Sequence, residues 1–131
     1  MGTGLLDTSV VIDWHKPAVR QALPAQLAIS AITLAELAVG THLAATPAEA
    51  ARRQVRLQEV ESVMEPLPFD AASARSYGQI VAAVVAAGRT HRRRVADLMI
   101  AAVAHSNGLD LFTRNPGDFA GLDDLMTIVG I

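Results

Sequence analysis

The chain has 131 residues, of which 51% are hydrophobic and 18% charged, with no cysteine and a formal net charge of −2. This length suits one domain with a proper hydrophobic core, and the composition excludes an intrinsically disordered chain. The lack of cysteine excludes disulfides and thiolate metal sites, and the net charge gives no global basic field for nucleic acid.

Short apolar segments alternate with amphipathic or alanine-rich ones along the chain. In chain order, the pattern predicts a strand at 5–6, helices at 10–14 and 18–23, a strand at 27–30, helices at 32–43 and 47–63, an edge strand at 65–69, helices at 71–87 and 95–106, and strands at 109–113 and 126–129. Several boundaries rest on capping residues: Thr46 with Pro47 and Glu49 as a capping box, and Asp70 and Gly88 at the two ends of one helix.

Strands that alternate with helices indicate a parallel sheet covered on both faces. We therefore predict a single α/β domain over residues 1–131, with three α/β/α layers around a central, mostly parallel sheet. The longest apolar runs, 80–87 and 98–104, are far shorter than the roughly 20 residues that cross a bilayer. No targeting segment is predicted, so we expect a cytoplasmic protein with no membrane partner.

Four carboxylates stand alone in apolar surroundings, and this pattern indicates a functional site. They are Asp7, Glu36, Asp97 and Asp118. A buried carboxylate is costly unless it is paired, hydrogen-bonded or bound to metal. Each of the four is predicted near the edge of the sheet where the strands end and the following helices begin. Carboxylates that repel each other at one edge call for a divalent cation, and oxygen ligands favour Mg²⁺ or Mn²⁺.

Each carboxylate alone also has a purely structural explanation. Asp7 could cap a helix, Glu36 could form a capping box with Thr33, Asp97 could favour its helix dipole, and Asp118 could cap a turn. Their joint position at one edge favours the metal site over these separate roles.

A basic segment, residues 89–94, leads directly into the helix that carries Asp97. It is either a solvated run of charge or a positive rim beside the acidic pocket, which would suit a phosphodiester substrate. On the second interpretation the candidate RNA-binding residues are Arg89, Arg92, Arg93 and Arg94.

Four segments resemble, in order and at suitable spacing, the motifs of PIN-domain ribonucleases, above all the VapC toxins of bacterial VapBC toxin–antitoxin modules. The segments are Leu6-Asp7-Thr8-Ser9, residues 32–37 (ITLAEL), 94–102 (RVADLMIAA) and 111–119 (LFTRNPGDF). The resemblance implies a PIN-like fold and an Mg²⁺- or Mn²⁺-dependent endoribonuclease. It also implies a cognate VapB-type antitoxin and a homodimer.

By the same resemblance, the acidic site comprises Asp7, Glu36, Asp97 and Asp118, supported by the polar residues Thr8, Ser9, Thr113 and Asn115. The residues alone leave two other functional classes open. One is another Mg²⁺-dependent phosphoryl-transfer α/β domain, such as a receiver, although a receiver carries a late lysine and the only lysine here is Lys16. The other is a catalytically silent PIN-like binding module, against which the presence of all four acids argues.

Overall fold

A computed structural model describes residues 2–131. Within this range, four parallel strands form one sheet in the order β2-β1-β3-β4. The strands are β1 (Thr3–Leu6), β2 (Gln26–Ala28), β3 (Asp110–Thr113) and β4 (Ile128–Gly130). The helices are α1 (Thr8–Ile12), α2 (Pro17–Ala22), α3 (Ala31–His42), α4 (Pro47–Val63), α5 (Ala71–Ala86) and α6 (Val95–Ser106), and 3₁₀ turns lie at Arg92–Arg94 and Pro116–Phe119.

The sheet separates two hydrophobic cores, because successive side chains of a strand point to opposite faces. Leu5 of β1 and its register partner Leu111 of β3 pack with α5 and α6 on one face. Leu6 packs on the other face with residues of α1, α3 and α4, and its register partner Phe112 borders the same core. The three-layer α/β/α arrangement predicted from the sequence is therefore confirmed.

The topology brings the carboxyl ends of β1 and β3 side by side where the strand order reverses. The chain passes from β1 to β2 on one side, then returns to add β3 on the other side of β1. Ligand sites of open α/β sheets lie where the strand order reverses in this way. The backbone N–H of Asp7, which follows β1, donates to the carbonyl of Phe112 at 2.9 Å, so the two strand ends are held side by side.

Most helix boundaries follow their predicted caps. Thr46 accepts from the backbone N–H of Glu49 at 3.1 Å, and Asp70 accepts from that of Ser73 at 2.9 Å. The capping box at Thr46 is only half formed, because the Glu49 carboxylate turns to Arg52 and Arg53. None of the helices described in residues 2–131 is both long enough and apolar enough to span a membrane.

The edge strand predicted at 65–69 is wrong. Only Leu67 pairs there: its N–H donates to the carbonyl of Ile29 and its carbonyl accepts from the N–H of Ala31, both at 2.8 Å. The residues on either side of Leu67 are prolines, which have no N–H to donate, so the pairing ends after one bridge.

Candidate active site

The structure brings the four isolated carboxylates to one edge of the sheet. Asp7 directly follows β1, Glu36 lies within α3, Asp97 lies in the first turn of α6, and Asp118 lies in the 3₁₀ turn after β3. Burial and then the charges of Asp7, Asp118 and Glu36 raise the pKa of Asp97 from 3.8 to about 6. The other three carboxylates therefore act on Asp97, as a shared acidic site requires.

Asp7 is the most deeply buried of the four, with 5% of its surface exposed. Its Oδ2 accepts from the hydroxyl of Ser9 at 2.7 Å and from the hydroxyl of Thr113 at 2.9 Å. It occupies the N-cap position of α1 without a side-chain capping bond, so it does not serve as a cap. Its two hydroxyl donors instead hold the carboxylate in one orientation.

Ser9 and Thr113 also tie the loop after β3 to the site. The Ser9 hydroxyl accepts from the N–H of Arg114 at 3.1 Å, and the Thr113 hydroxyl accepts from the N–H of Asn115 at 3.0 Å. Asn115 in turn accepts, through its carbonyl, from the N–H of Asp118 at 2.9 Å. Ser9, Thr113 and the backbone of Asn115 thus form a chain of hydrogen bonds from Asp7 to the Asp118 turn, in which the Asn115 side chain takes no part.

Glu36 is exposed and is held by a second set of hydroxyls. Thr8 donates to its Oε1 at 2.6 Å, and the Thr8 and Thr33 hydroxyl oxygens lie 3.0 Å apart. Thr33, fully buried, donates its N–H to the Ser30 side chain at 3.1 Å, so Ser30 caps α3 and no Thr33–Glu36 capping box forms. From the sequence, Thr33 was considered only as a capping partner of Glu36. The one feature that indicates its observed place is its position three residues after a serine, the spacing at which a serine side chain caps a helix.

The basic segment 89–94 divides into two kinds of arginine. Arg94 pairs with the Asp118 carboxylate at 2.6 Å, and Arg89 donates to the carbonyl of Gly117 at 3.2 Å. Arg92 and Arg93 are exposed and form no ion pair with any residue in the range 2–131. Arg92 and Arg93 are therefore left to face solvent or a ligand, whereas Arg94 belongs to the acidic site.

The donor set of this site suits a hard divalent cation. Carboxylates and hydroxyls supply only oxygen, the atom that Mg²⁺ and Mn²⁺ prefer. Within residues 2–131, no three acidic, imidazole or thiol side chains are grouped tightly enough to ligate one ion together. Mg²⁺ usually takes one or two carboxylates directly and keeps several waters, so it does not need three ligating side chains.

Sequence comparison finds relatives over most of the chain. The PIN domain family matches residues 4–125. Ribonuclease VapC5 of Mycobacterium tuberculosis is 39% identical over 127 residues, which cover 95% of this chain and 91% of that protein. VapC ribonuclease Y4jK of Sinorhizobium fredii is 37% identical over 135 residues, which cover 91% of this chain and 93% of that protein.

Comparison with solved structures agrees with the sequence comparison. The crystal structure of VapBC-5 of Mycobacterium tuberculosis, a member of the VapBC family of toxin–antitoxin systems, superimposes with a TM-score of 0.86 at 36% identity, over 100% of both chains. DNA-bound VapBC from Salmonella typhimurium matches with a TM-score of 0.80 at 28% identity, over 98% of this chain and 97% of that one. The similarity therefore includes all four segments that carry the carboxylates.

Proposed function

Because this chain belongs to the PIN-domain family and its curated relatives are VapC ribonucleases, we propose that it is an endoribonuclease and the toxin of a toxin–antitoxin module. The observation that carries the proposal is the convergence of four carboxylates, from four separate segments, at the carboxyl edge of a parallel sheet. A catalytically silent module would have no need for such mutually repelling groups, because they lower stability without serving a function.

We expect Mg²⁺ or Mn²⁺ to be held by Asp7, Glu36, Asp97 and Asp118, by one or two of them directly and by the others through water. When bound there, such an ion would supply Lewis-acid chemistry, offsetting the charge of the scissile phosphate and favouring deprotonation of the attacking water. Neighbouring hydroxyl groups position two of these carboxylates for this chemistry. Asp7 is fixed by two hydroxyls and Glu36 by Thr8, and a carboxylate or the solvent takes the proton from the water.

The proposed partners follow from the solved relatives, which are toxin–antitoxin complexes. We expect a cognate VapB-type antitoxin that suppresses the nuclease, and a homodimer of the toxin. We also expect the protein to act in the cytoplasm, where its proposed RNA substrate is found.

The direct test is cleavage of a structured RNA by purified protein free of antitoxin. Cleavage is expected with Mg²⁺ or Mn²⁺ and should stop when EDTA removes the ion, because without the ion the carboxylates repel the anionic phosphate. Mapping the 5′ ends of the products identifies the cleaved bonds. Cleavage that continues in EDTA, or none with either ion, would contradict the proposal.

Arg92 and Arg93 are expected to contact the RNA backbone. Each phosphate neutralised on a single strand contributes about −0.7 to the slope of log K against log salt concentration. Replacing both arginines with Ala should weaken RNA binding and flatten that slope by roughly one unit, because both side chains are exposed and unpaired in the described chain. Fluorescence anisotropy across a salt series measures both quantities.

The control removes the same two charges from other elements. Arg52 of α4, which pairs with Glu49, and Arg75 of α5 are also exposed, and replacing both with Ala should leave the slope near the wild-type value. An equal flattening of the salt slope in both double variants would show that RNA binding depends on the overall charge of the protein and not on the basic segment.

A further inference from the structure

Arg94 is a cation built into the acidic site. Its guanidinium lies 2.6 Å from Oδ1 of Asp118, and each side chain is about one-third exposed, at 33% and 35%. The charge of Arg94 also opposes the three carboxylates that raise the pKa of Asp97. Arg94 therefore acts on two of the four acids.

The backbone holds Arg94 in this position. Its N–H donates to the carbonyl of His91 at 3.0 Å within the 3₁₀ turn, and α6 begins at the next residue. At the other end of the basic segment, Arg89 is bonded to the carbonyl of Gly117, next to Asp118. The segment is thus attached to the Asp118 turn at two points, and the guanidinium lies beside Asp118 in the ligand-free protein.

This arrangement changes how many ions the site can accept. One of the four negative charges is already neutralised, so a second divalent ion near Asp118 would meet a positive charge in place of a free carboxylate. Nucleases with two metal ions use the pair to stabilise both the attacking and the leaving oxygen. An arginine is always charged and can donate two parallel hydrogen bonds to a phosphate, so it can supply positive charge in the same place.

We propose that Arg94 takes the place of a second divalent ion: the site loads one ion, and the guanidinium supplies the second positive charge to the cleaved phosphodiester. This inference rests on the proposed ribonuclease function and deepens it. It assigns Arg94 to the reaction centre, while Arg92 and Arg93 remain contacts to the RNA backbone.

The first test counts ions without RNA. Mn²⁺ titration followed by electron paramagnetic resonance should give one ion per wild-type chain. Arg94→Met keeps much of the side-chain volume and removes the charge. It should admit a second ion or tighten the first by roughly tenfold. Arg94→Lys keeps the charge and should still bind one ion. Arg93→Met, its exposed neighbour, should bind Mn²⁺ like the wild type.

The second test follows the dependence of RNA cleavage on Mn²⁺ concentration. The wild-type rate should rise with the first power of the concentration. Arg94→Met should cut more slowly at low Mn²⁺, then recover at high Mn²⁺ with a dependence near the second power, since an added ion replaces the guanidinium. A merely structural role for Arg94 would not change this exponent.

The outcomes separate the two proposals. Two ions on the wild type, or Arg94→Met with unchanged ion number, affinity and exponent, would overturn the role of Arg94 and leave the ribonuclease function standing. One ion on the wild type without RNA cleavage would refute the nuclease, and the ion counts of the variants would still decide the role of Arg94. No ion on the wild type would overturn both.

Discussion

Asp97→Asn is expected to reduce RNA cleavage by roughly 10²- to 10³-fold and to raise the melting temperature of the metal-free protein. Activity falls because the amide replaces a charged ligand for the ion. Stability rises because burial, and then the charges of Asp7, Asp118 and Glu36, disfavour the ionised carboxylate and raise its pKa to about 6. An amide of nearly the same shape removes that unfavourable charge.

The gain in stability should depend on pH. Because the pKa of Asp97 is higher in the folded than in the unfolded protein, ionisation progressively destabilises the wild type as pH rises from 3.8 to about 6. The difference between variant and wild type should therefore be small below about pH 4 and constant above about pH 6. Allowing for solvent screening, we expect about 1–2 kcal/mol, measured by thermal unfolding in EDTA at several pH values.

One structural effect opposes this gain. Asp97 lies in the first turn of α6, where a negative charge interacts favourably with the helix dipole by about 0.3–1 kcal/mol. The repulsion and burial that raise the pKa exceed that amount, so the net change should be stabilising. A clear loss of metal-free stability in Asp97→Asn at neutral pH would instead identify Asp97 as a helix-stabilising residue.

Ion binding supplies the control for the same variant. Mg²⁺ should raise the wild-type melting temperature by mass action and should do less for Asp97→Asn. Asp123→Asn removes an exposed carboxylate that has no effect on the pKa of Asp97, so both its activity and its response to Mg²⁺ should match the wild type.

Sequence patterns predicted those parts of the fold that depend on local interactions. The capping residues Thr46 and Asp70 placed the starts of α4 and α5, since a cap bonds to a backbone group only three residues away. The segment 65–69 was predicted as an edge strand because prolines are tolerated at sheet edges. With a proline on each side of Leu67, however, only that residue of the three can donate an N–H, so a single bridge forms and no strand.

The site, like the fold, was predictable where it depends on features that lie within one segment of the sequence. An isolated carboxylate in an apolar segment is visible in the sequence, and all four meet at one edge of the sheet. The pairing of Arg94 with Asp118 was not visible, because it joins distant segments and depends on which arginine the 3₁₀ turn directs inward. In a row of arginines, composition alone does not distinguish that residue from its exposed neighbours.

Thr113→Val is expected to lower both activity and stability. Thr113 is fully buried, and its hydroxyl donates to Asp7 and accepts from the N–H of Asn115. Valine has nearly the same shape but leaves that N–H without its partner and a buried carboxylate with one donor fewer, which costs about 1–3 kcal/mol. Loss of a residue that orients a metal ligand typically reduces metal affinity or activity by about 10- to 100-fold.

The serine variant separates the hydroxyl from the methyl group. Thr113→Ser keeps both hydrogen bonds and should retain most of the activity, whereas Thr113→Val should melt at a lower temperature and cleave RNA slowly. In the metal-free protein the stability changes of Thr113→Val and Asp97→Asn should thus have opposite signs, although both variants lose activity. Asp7 gains two hydroxyl donors on folding, whereas Asp97 chiefly gains burial and repulsion. A Thr113→Val protein as stable and active as the wild type would show that the Ser9 hydroxyl alone suffices to orient Asp7.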